Sequence, residues 1–225
     1  MKIDRILLLA CDRPEYLEKC LERILKLGVE IVCVLDKPSN LERIKDWKLC
    51  KKILELSGIK FISNKENLGC SNSMYLLLDQ RIKGINLIVE DDVVLKDEFD
   101  LFVENYKESS NFILKLSSYY WGWIADDITI DKFKAFRNQE NEKVSKEFKK
   151  TTAWKAIEIF QKSNTYFPFD ELLDICAKYH RINVYTGYSM SNNIGEISSR
   201  LNNKNEGKPK KAWFKNGVLV KLEEI

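Results

Sequence analysis

The stretch Leu87–Leu95, LIVEDDVVL, ends an apolar segment with three consecutive acids. The apolar segment that leads into these acids, Ile85–Val89, is the fourth run of strand length in the chain. Segments with helical periodicity separate the four runs. Alternating strands and helices predict a parallel sheet covered by helices. The three acids then lie at the carboxyl end of a strand, which is the edge where open parallel sheets bind ligands.

The units before this strand follow the same pattern. Ile3–Ala10 is typical of a buried strand, and Pro14 begins an amphipathic helix. The next two predicted strands are Glu30–Leu35, which is followed by Asp36, and Ile59–Ile62. We therefore expect Asp36 at the same sheet edge as the three acids.

Length and composition indicate one globular domain with a sizeable core. The chain has 225 residues, 44% of them hydrophobic, and no apolar run approaches the roughly 20 residues of a membrane span. Six cysteines without a CxxC pair are typical of reduced thiols, so we expect a cytoplasmic location. The 37 basic and 34 acidic residues nearly balance, which argues against a nucleic-acid partner. The single histidine, His180, argues against zinc sites and serine-histidine hydrolases.

The acids after Val89 can hold a divalent cation, because carboxylate oxygens suit Mg²⁺ and Mn²⁺. Alternatively, Asp91 and Asp92 stabilise the N-terminal turn of a helix predicted near Asp97–Tyr106. Asp97 and Glu98 already supply acids for that turn. This favours a ligand-binding role for the earlier acids.

Several motifs, taken in order, resemble those of GT-A fold nucleotide-sugar glycosyltransferases. Glu90-Asp91-Asp92 resembles the metal-binding acidic element in the version found in the N-acetylglucosaminyltransferase that begins complex N-glycans. The other matching segments are Leu8–Pro14, Val34-Leu35-Asp36, Trp121-Gly122-Trp123, Phe169-Asp170-Glu171 and Asn193-Ile194-Gly195, the last similar to small bacterial family-2-like transferases. The resemblance implies a single α/β domain of the GT-A (Rossmann-like) fold at residues 1–199, with a mostly parallel sheet flanked by helices.

The resemblance also implies a metal-dependent transferase that uses a UDP-sugar donor. Asp92 would be the direct ligand of Mn²⁺ or Mg²⁺, while Glu90 and Asp91 would face the ribose or the donor sugar. Arg13 and Asp36 would contact the nucleotide, although Arg13 could equally be a surface residue beside a turn. A cation is required in physical terms, because three acids would otherwise repel the donor diphosphate. The expected acceptor is a glycan or lipid-linked glycan, as in the synthesis of bacterial surface glycans.

An inverting transfer needs a carboxylate that accepts the proton of the acceptor hydroxyl. Glu171 matches the second acid of the family motif and is the preferred base, with Asp170 as the other candidate. Both could instead only stabilise the first turn of a helix predicted over Leu172–Tyr179. Asp126 and Asp127 are the alternative bases if both candidates lie far from Asp92.

Two further segments have a functional and a structural interpretation. In the aromatic patch at residues 119–123, we expect Tyr120 or Trp121 to face the donor pocket and Trp123 to pack inward, with Gly122 allowing a close approach to the donor. The loop Asn64–Ser71 either shapes the nucleotide and donor-sugar pocket or simply connects a strand to a helix.

The segment 200–225 is rich in lysine and has three interpretations: a basic tail, a lid over the diphosphate, or a surface for peripheral contact with the inner face of a membrane.

Two other functions of the protein stay open. A sugar nucleotidyltransferase usually has a Gly-rich loop after its first strand, where this chain has Cys11–Pro14. A non-catalytic nucleotide- or sugar-binding module on the same scaffold is the stronger rival.

Overall fold

A computed structural model describes residues 1–107, 110–117, 122–138, 169–186, 190–194, 214–215 and 218–219. The strands are β1 (Arg5–Ala10), β2 (Ile31–Leu35), β3 (Lys60–Ser63), β4 (Ile85–Glu90), β5 (Val93–Leu95), β6 (Phe112–Lys115), β7 (Gly122–Asp126), β8 (Asn183–Thr186), β9 (Ser191–Asn193), β10 (Phe214–Lys215) and β11 (Val218–Leu219). The helices are α1 (Pro14–Ile24), α2 (Ile44–Leu56), α3 (Gly69–Leu78), α4 (Phe99–Asn105), α5 (Asp127–Asn138) and α6 (Phe169–His180), with short 3₁₀ turns at Leu25–Leu27 and Leu41–Arg43.

Seven strands form the central sheet in the order β3-β2-β1-β4-β7-β6-β8. Strands β3, β2, β1 and β4 are parallel, β7 runs antiparallel to both of its neighbours, and β8 is parallel to β6. The predicted α/β fold with a mostly parallel, helix-flanked sheet is therefore confirmed. We call the edge where β1, β2 and β4 end the carboxyl edge, and the opposite edge the amino edge.

Helices cover both faces of the sheet, which explains why its central strands are apolar along their whole length. In β1, Ile6 and Leu8 point into the core beneath α1 and α2. The alternate residues Leu7 and Leu9 point into the second core, beneath α3, α5 and α6. No helix in the described residues has the length and apolar character needed to span a bilayer.

Two strands differ from the sequence expectation. Val93–Leu95, which directly follows the three acids and was not predicted as a strand, is a strand that pairs antiparallel with β9. Gly122–Asp126, which overlaps the end of the predicted aromatic patch at residues 119–123, is a strand between β4 and β6. Tertiary pairing, which no local pattern in the sequence reveals, determines both.

Candidate active site

The acids that follow β4 lie at the centre of the carboxyl edge. Asp91 donates its main-chain N–H to the carbonyl of Leu9 in β1, at 2.9 Å, and its side chain is wholly buried. Asp92 is 6% exposed. Glu90 is partly exposed at the last position of β4. The triplet therefore combines two buried carboxylates, those of Asp91 and Asp92, with the partly exposed one of Glu90.

Both carboxyl oxygens of Asp91 are bound by the loop that follows β1. Oδ2 accepts the main-chain N–H of Cys11 at 3.1 Å, and Oδ1 accepts a hydrogen bond from the guanidinium of Arg13. Burial raises the pKa of Asp91 to about 6, against the lowering effect of Arg13 and with a further raising effect of Asp92. Asp91 was expected to face the ribose or donor sugar; here it instead faces inward and fixes the loop.

Asp92 has one bound and one unbound carboxyl oxygen. Its Oδ2 accepts a hydrogen bond from Nη1 of Arg13 at 2.5 Å. Its Oδ1 is buried and has no hydrogen-bond partner in the part of the chain that the structure describes. A buried carboxylate oxygen without a donor is costly, so this atom is suited to a ligand.

Arg13 bridges the two aspartates with separate nitrogens of its guanidinium group. The side chain is 22% exposed, and its guanidinium carbon lies 5.9 Å from the ring centre of Tyr16. Burial lowers the pKa of Arg13, but Asp91 and Asp92 raise it more strongly, so the group stays charged. Arg13 is thus part of the acidic site rather than an isolated surface residue.

Asp36 lies at the same edge, after β2, in a polar network of its own. Its Oδ1 accepts hydrogen bonds from the side chain of Asn64 at 2.8 Å and from the main-chain N–H groups of Lys37 and Leu68, at 3.0 and 3.1 Å. Asn64 also donates to the hydroxyl of Ser73 at 3.1 Å. The loop 64–68 is therefore attached to Asp36, and Asp36 is 4% exposed.

Asn64 and Ser73 were not assigned roles beside Asp36 in the sequence analysis. Each has a local signal, since Asn64 directly follows β3 and Ser73 is a buried polar residue in an otherwise apolar part of α3. Their partner lies 28 residues from Asn64 in the chain, so only the folded sheet brings them together.

The Asn193-Ile194-Gly195 motif lies beside the acidic triplet, although about 100 residues separate them in sequence. The main-chain N–H of Ile194 donates to the carbonyl of Asp92 at 2.8 Å, and Asn193 pairs with Val93. Gly195 and the side chain of Asn193 lie outside the described residues. This segment holds the backbone of Asp92 from the side opposite β1.

Helix α6 carries the candidate bases Asp170 and Glu171 in its first turn. The helix leads into β8, which runs in the same direction as β4, so α6 begins at the carboxyl edge. Phe169 packs on Trp123 of β7, with ring centres 6.2 Å apart. The backbone of both acids therefore lies at the same edge as Asp92, while their side chains lie outside the described residues.

The aromatic patch is confirmed in part. Trp123 is fully buried, as expected, while Tyr120 and Trp121 lie outside the described residues. Gly122 was expected to allow a close approach to the donor, but its free side faces the core. A Cβ atom there would lie 3.2 Å from Val93 and 3.3 Å from Leu116, so an added side chain would press on these two core residues.

Asp126 and Asp127, the alternative bases, lie at the amino edge. Asp126 pairs in register with Ile85, the first residue of β4, and accepts main-chain N–H groups of Asn111 and Thr129. Asp127 accepts the N–H of Gly84. The length of β4 separates both from Asp92, which removes them as candidates.

The carboxylate oxygens at the carboxyl edge suit a hard cation such as Mn²⁺ or Mg²⁺, but the described residues supply few of them as metal ligands. Within the described residues, no group of three or more His, Cys, Asp or Glu side chains is arranged to hold a metal ion. Oδ1 of Asp92 is nevertheless an unpaired buried carboxylate oxygen, the ligand type that Mn²⁺ and Mg²⁺ prefer. These cations commonly take their other ligands from water and substrate phosphates, so one protein carboxylate fits such a site.

Comparison of the sequence with protein families gives the class of protein that carries this sheet and these acids. Residues 9–194 match the model of glycosyltransferase family 25 (LPS biosynthesis protein), and the chain belongs to this family. It is therefore a glycosyltransferase. A search of curated proteins finds no significant match.

Solved structures show more distant similarity. Staphylococcus aureus TarS is 14% identical over 51% of this chain and 21% of its own length, with a TM-score of 0.35. A Pyrobaculum calidifontis mannosyltransferase in complex with GDP-Man and Mn²⁺ is 13% identical over 79% of this chain and 70% of its own length, with a TM-score of 0.42. A putative glucose-1-phosphate thymidylyltransferase from Bacillus anthracis is 8% identical over 84% of this chain and 87% of its own length, with a TM-score of 0.46. Similarity at this level does not extend to activity.

Proposed function

We propose that the protein transfers a sugar from a UDP-sugar to a hydroxyl group of a glycan or lipid-linked glycan, with a divalent cation and inversion of the anomeric centre. The observation that carries this proposal is the carboxylate of Asp92, buried at the carboxyl edge with one oxygen unpaired among the described residues. The resemblance of the acidic triplet to that of the N-acetylglucosaminyltransferase supports uridine as the nucleoside of the donor.

Asp36 and Glu90 bind the donor in this proposal. Three hydrogen bonds to Oδ1 fix the carboxyl group of Asp36, so its orientation is set before the nucleotide arrives. Glu90 contacts the donor sugar from the end of β4, and Trp121 stacks on a sugar face. Asp91 holds Arg13 and the loop after β1, and Gly122 acts through packing beneath the acids.

Asp92 supplies the protein ligand for Mn²⁺ or Mg²⁺. When bound, such a cation neutralises the acids and stabilises the departing diphosphate as the glycosidic bond breaks. Two main-chain hydrogen bonds hold Asp92 in place for this role: the N–H of Asp91 donates to Leu9, and the carbonyl of Asp92 accepts the N–H of Ile194. Arg13 contributes a second positive charge near the diphosphate.

Glu171 is proposed as the general base, with Asp170 as the other candidate. In an inverting transfer, the base accepts the proton of the acceptor hydroxyl while the oxygen attacks the anomeric carbon and the diphosphate leaves. The first turn of α6 lies at the required edge of the sheet. Its attachment through Phe169 to Trp123 gives the base a rigid support.

We further propose that the protein works in the cytoplasm, at the inner face of the membrane. All six cysteines are free, which fits a reducing compartment. The family description names LPS biosynthesis, which is consistent with the proposed glycan or lipid-linked glycan acceptor. The basic segment 200–225 is proposed as the lid or the contact surface for the anionic acceptor.

A turnover assay tests the proposal. The full chain is incubated with a panel of nucleotide sugars and candidate glycan acceptors, in Mn²⁺ or in a chelator, and nucleotide release is measured. We expect one uridine diphosphate sugar to release UDP faster with acceptor than without it, and only in the presence of metal. Tight donor binding without release under any acceptor would instead indicate a binding module.

A further inference from the structure

Arg13 already places one positive charge against both aspartates of the triplet. Its two terminal nitrogens each bind one carboxylate, and the contact to Oδ2 of Asp92 measures 2.5 Å. Two carboxylates share one guanidinium here, so the cluster keeps an uncompensated negative charge. The unpaired Oδ1 of Asp92 belongs to the same carboxyl group that Arg13 binds.

A fixed guanidinium at this position opposes a free divalent cation. Like charges a few ångströms apart repel strongly in a partly buried site, because water screens them less than at the surface. A diphosphate changes the balance, since its oxygens are strong acceptors that match the two-pronged donor geometry of arginine. Arg13 can then exchange carboxylate for phosphate without losing a charged partner.

We propose that Arg13 is an internal counter-cation that excludes free divalent cations from Asp92 until the donor diphosphate withdraws it. Cation and donor then bind together rather than in sequence. This inference rests on the proposed function, because it takes a diphosphate and a divalent cation as the ligands of the site.

The test measures Mn²⁺ binding without nucleotide, from the electron paramagnetic resonance signal of free Mn²⁺. Wild-type protein should bind Mn²⁺ weakly, and Arg13→Gln should raise the affinity by roughly tenfold or more, since it removes one charge at close range. Arg23→Gln is the matched control: Arg23 is an arginine of α1 that is 21% exposed, close to the 22% of Arg13, and it pairs with Asp97 rather than with the triplet. Its Mn²⁺ affinity should equal that of wild type.

Arg13→Lys keeps the charge but cannot bridge both carboxylates, so it should give an intermediate affinity and serves if Arg13→Gln does not fold. With saturating UDP the affinities of wild type and variant should converge. Equal nucleotide-free affinities in wild type and both variants, or no Mn²⁺ binding by any of them, would overturn the role of Arg13. The proposed function fails separately, if wild type with UDP and acceptor is indifferent to Mn²⁺.

A second inference concerns the outer face of α2. Cys50 and Leu54 bury one side of this helix, and the opposite side carries Leu49 and Leu56, which are 47% and 77% exposed. Leu41, just before the helix, is 80% exposed. Leu49 and Leu56 are seven residues apart, about two helical turns, so they lie on the same side of α2 and add apolar surface to it.

Lysines surround these leucines. Lys45, Lys48 and Lys52 share the outer face by helical spacing, and none of the three forms an ion pair with a residue that the structure describes. Of the two acids of α2, Asp46 is paired with Arg43, and Glu55 lies at the margin of the face. A basic face with apolar side chains matches an anionic lipid surface.

We infer that the outer face of α2 docks on a membrane that contains anionic lipid. Arg43, at the start of α2, donates to the carbonyl of Asp12 at 2.7 Å, next to Arg13. A membrane at this face would therefore lie beside the mouth of the candidate site, where a lipid-linked acceptor could enter.

Co-sedimentation with vesicles tests this inference. The full chain should bind vesicles of phosphatidylglycerol and phosphatidylcholine but not pure phosphatidylcholine. The pairs Lys45→Glu with Lys52→Glu, and Leu49→Ser with Leu56→Ser, should each weaken binding by roughly tenfold or more. The controls Lys60→Glu and Leu101→Ser, exposed residues outside this face, should bind like wild type.

Unchanged vesicle binding in both α2 pairs, or no vesicle binding by wild type, would overturn the inference. A shift in oligomeric state in the leucine pair, measured by light scattering, would assign the face to a protein contact instead. Turnover with a water-soluble acceptor should be the same in wild type and in the α2 variants, which separates this test from that of the proposed function.

Discussion

Acids lie at both edges of the sheet, but their hydrogen-bond partners differ. At the amino edge, Asp4, Asp126 and Asp127 each accept main-chain N–H groups from neighbouring elements, at 2.8 to 3.3 Å. At the carboxyl edge, Asp91 and Asp92 share one arginine, and an oxygen of Asp92 has no partner among the described residues. The first set holds strand ends together, whereas the second leaves binding capacity unused.

This difference in hydrogen bonding distinguishes a ligand-binding acid from a structural one better than burial or charge alone does. Buried polar groups are nearly always hydrogen-bonded, so a buried carboxylate oxygen without a donor marks a place where stability has been given up. Substitutions at the two edges should therefore separate activity from stability.

The largest effect is expected at the base. Glu171→Gln should lower turnover by roughly two to four orders of magnitude while donor affinity stays nearly unchanged, because only proton transfer is lost. Asp170→Asn should be milder. Steady-state kinetics and donor calorimetry on the same samples check this, and equal losses in binding and turnover would assign the acid to donor contact.

The next effect concerns Asp92. Asp92→Asn should lower turnover by roughly two to three orders of magnitude and remove the response to Mn²⁺, because a neutral amide cannot replace a carboxylate ligand. Asp97→Asn is the control, since Asp97 is 91% exposed and belongs to the region of α4. If both variants respond alike to Mn²⁺ titration, the acids act only through the helix terminus.

At the amino edge we expect the opposite result. Asp126→Asn should reduce the free energy of unfolding by about 1–3 kcal/mol, because an amide satisfies the N–H groups of Asn111 and Thr129 less well. The turnover number per folded molecule should stay at the wild-type value. Denaturant unfolding with kinetics measures both, and a large loss of turnover without destabilisation would break the contrast between the edges.

The smallest effect is expected at Gly122. A methyl group would press on Val93 and Leu116 at 3.2 and 3.3 Å, so Gly122→Ala should cost about 1 kcal/mol of stability. Activity should change little if glycine serves packing alone. Loss of donor affinity at unchanged melting temperature would show that the donor approaches this residue.

The parallel strands β1 to β4 of the sheet were predicted correctly from the sequence alone. Continuous apolar runs such as Ile85–Val89 indicate buried strands. Gly28, which has a φ of 62°, marks the end of the first helical segment, because glycine adopts this left-handed conformation without strain. The antiparallel strands β7 and β9 were missed, because a partner distant in the chain defines each of them.

For the site, residue type indicated the location but not the contacts. Carboxylates after a buried strand were enough to place Asp36 and Asp92 at one edge. The inward orientation of Asp91 and its bond to Arg13 depend on how the loop after β1 meets the end of β4, across about 80 residues of sequence. Such pairings arise from tertiary geometry, so neither composition nor spacing could reveal them.

The central claim is that the acids at the carboxyl edge bind a nucleotide diphosphate through a cation. Calorimetric titration of the wild-type chain with UDP, in Mn²⁺ and in a chelator, tests it most directly. We expect affinity in Mn²⁺ to exceed that in the chelator by at least tenfold, about 1.4 kcal/mol. Equal affinity under the two conditions would contradict the claim.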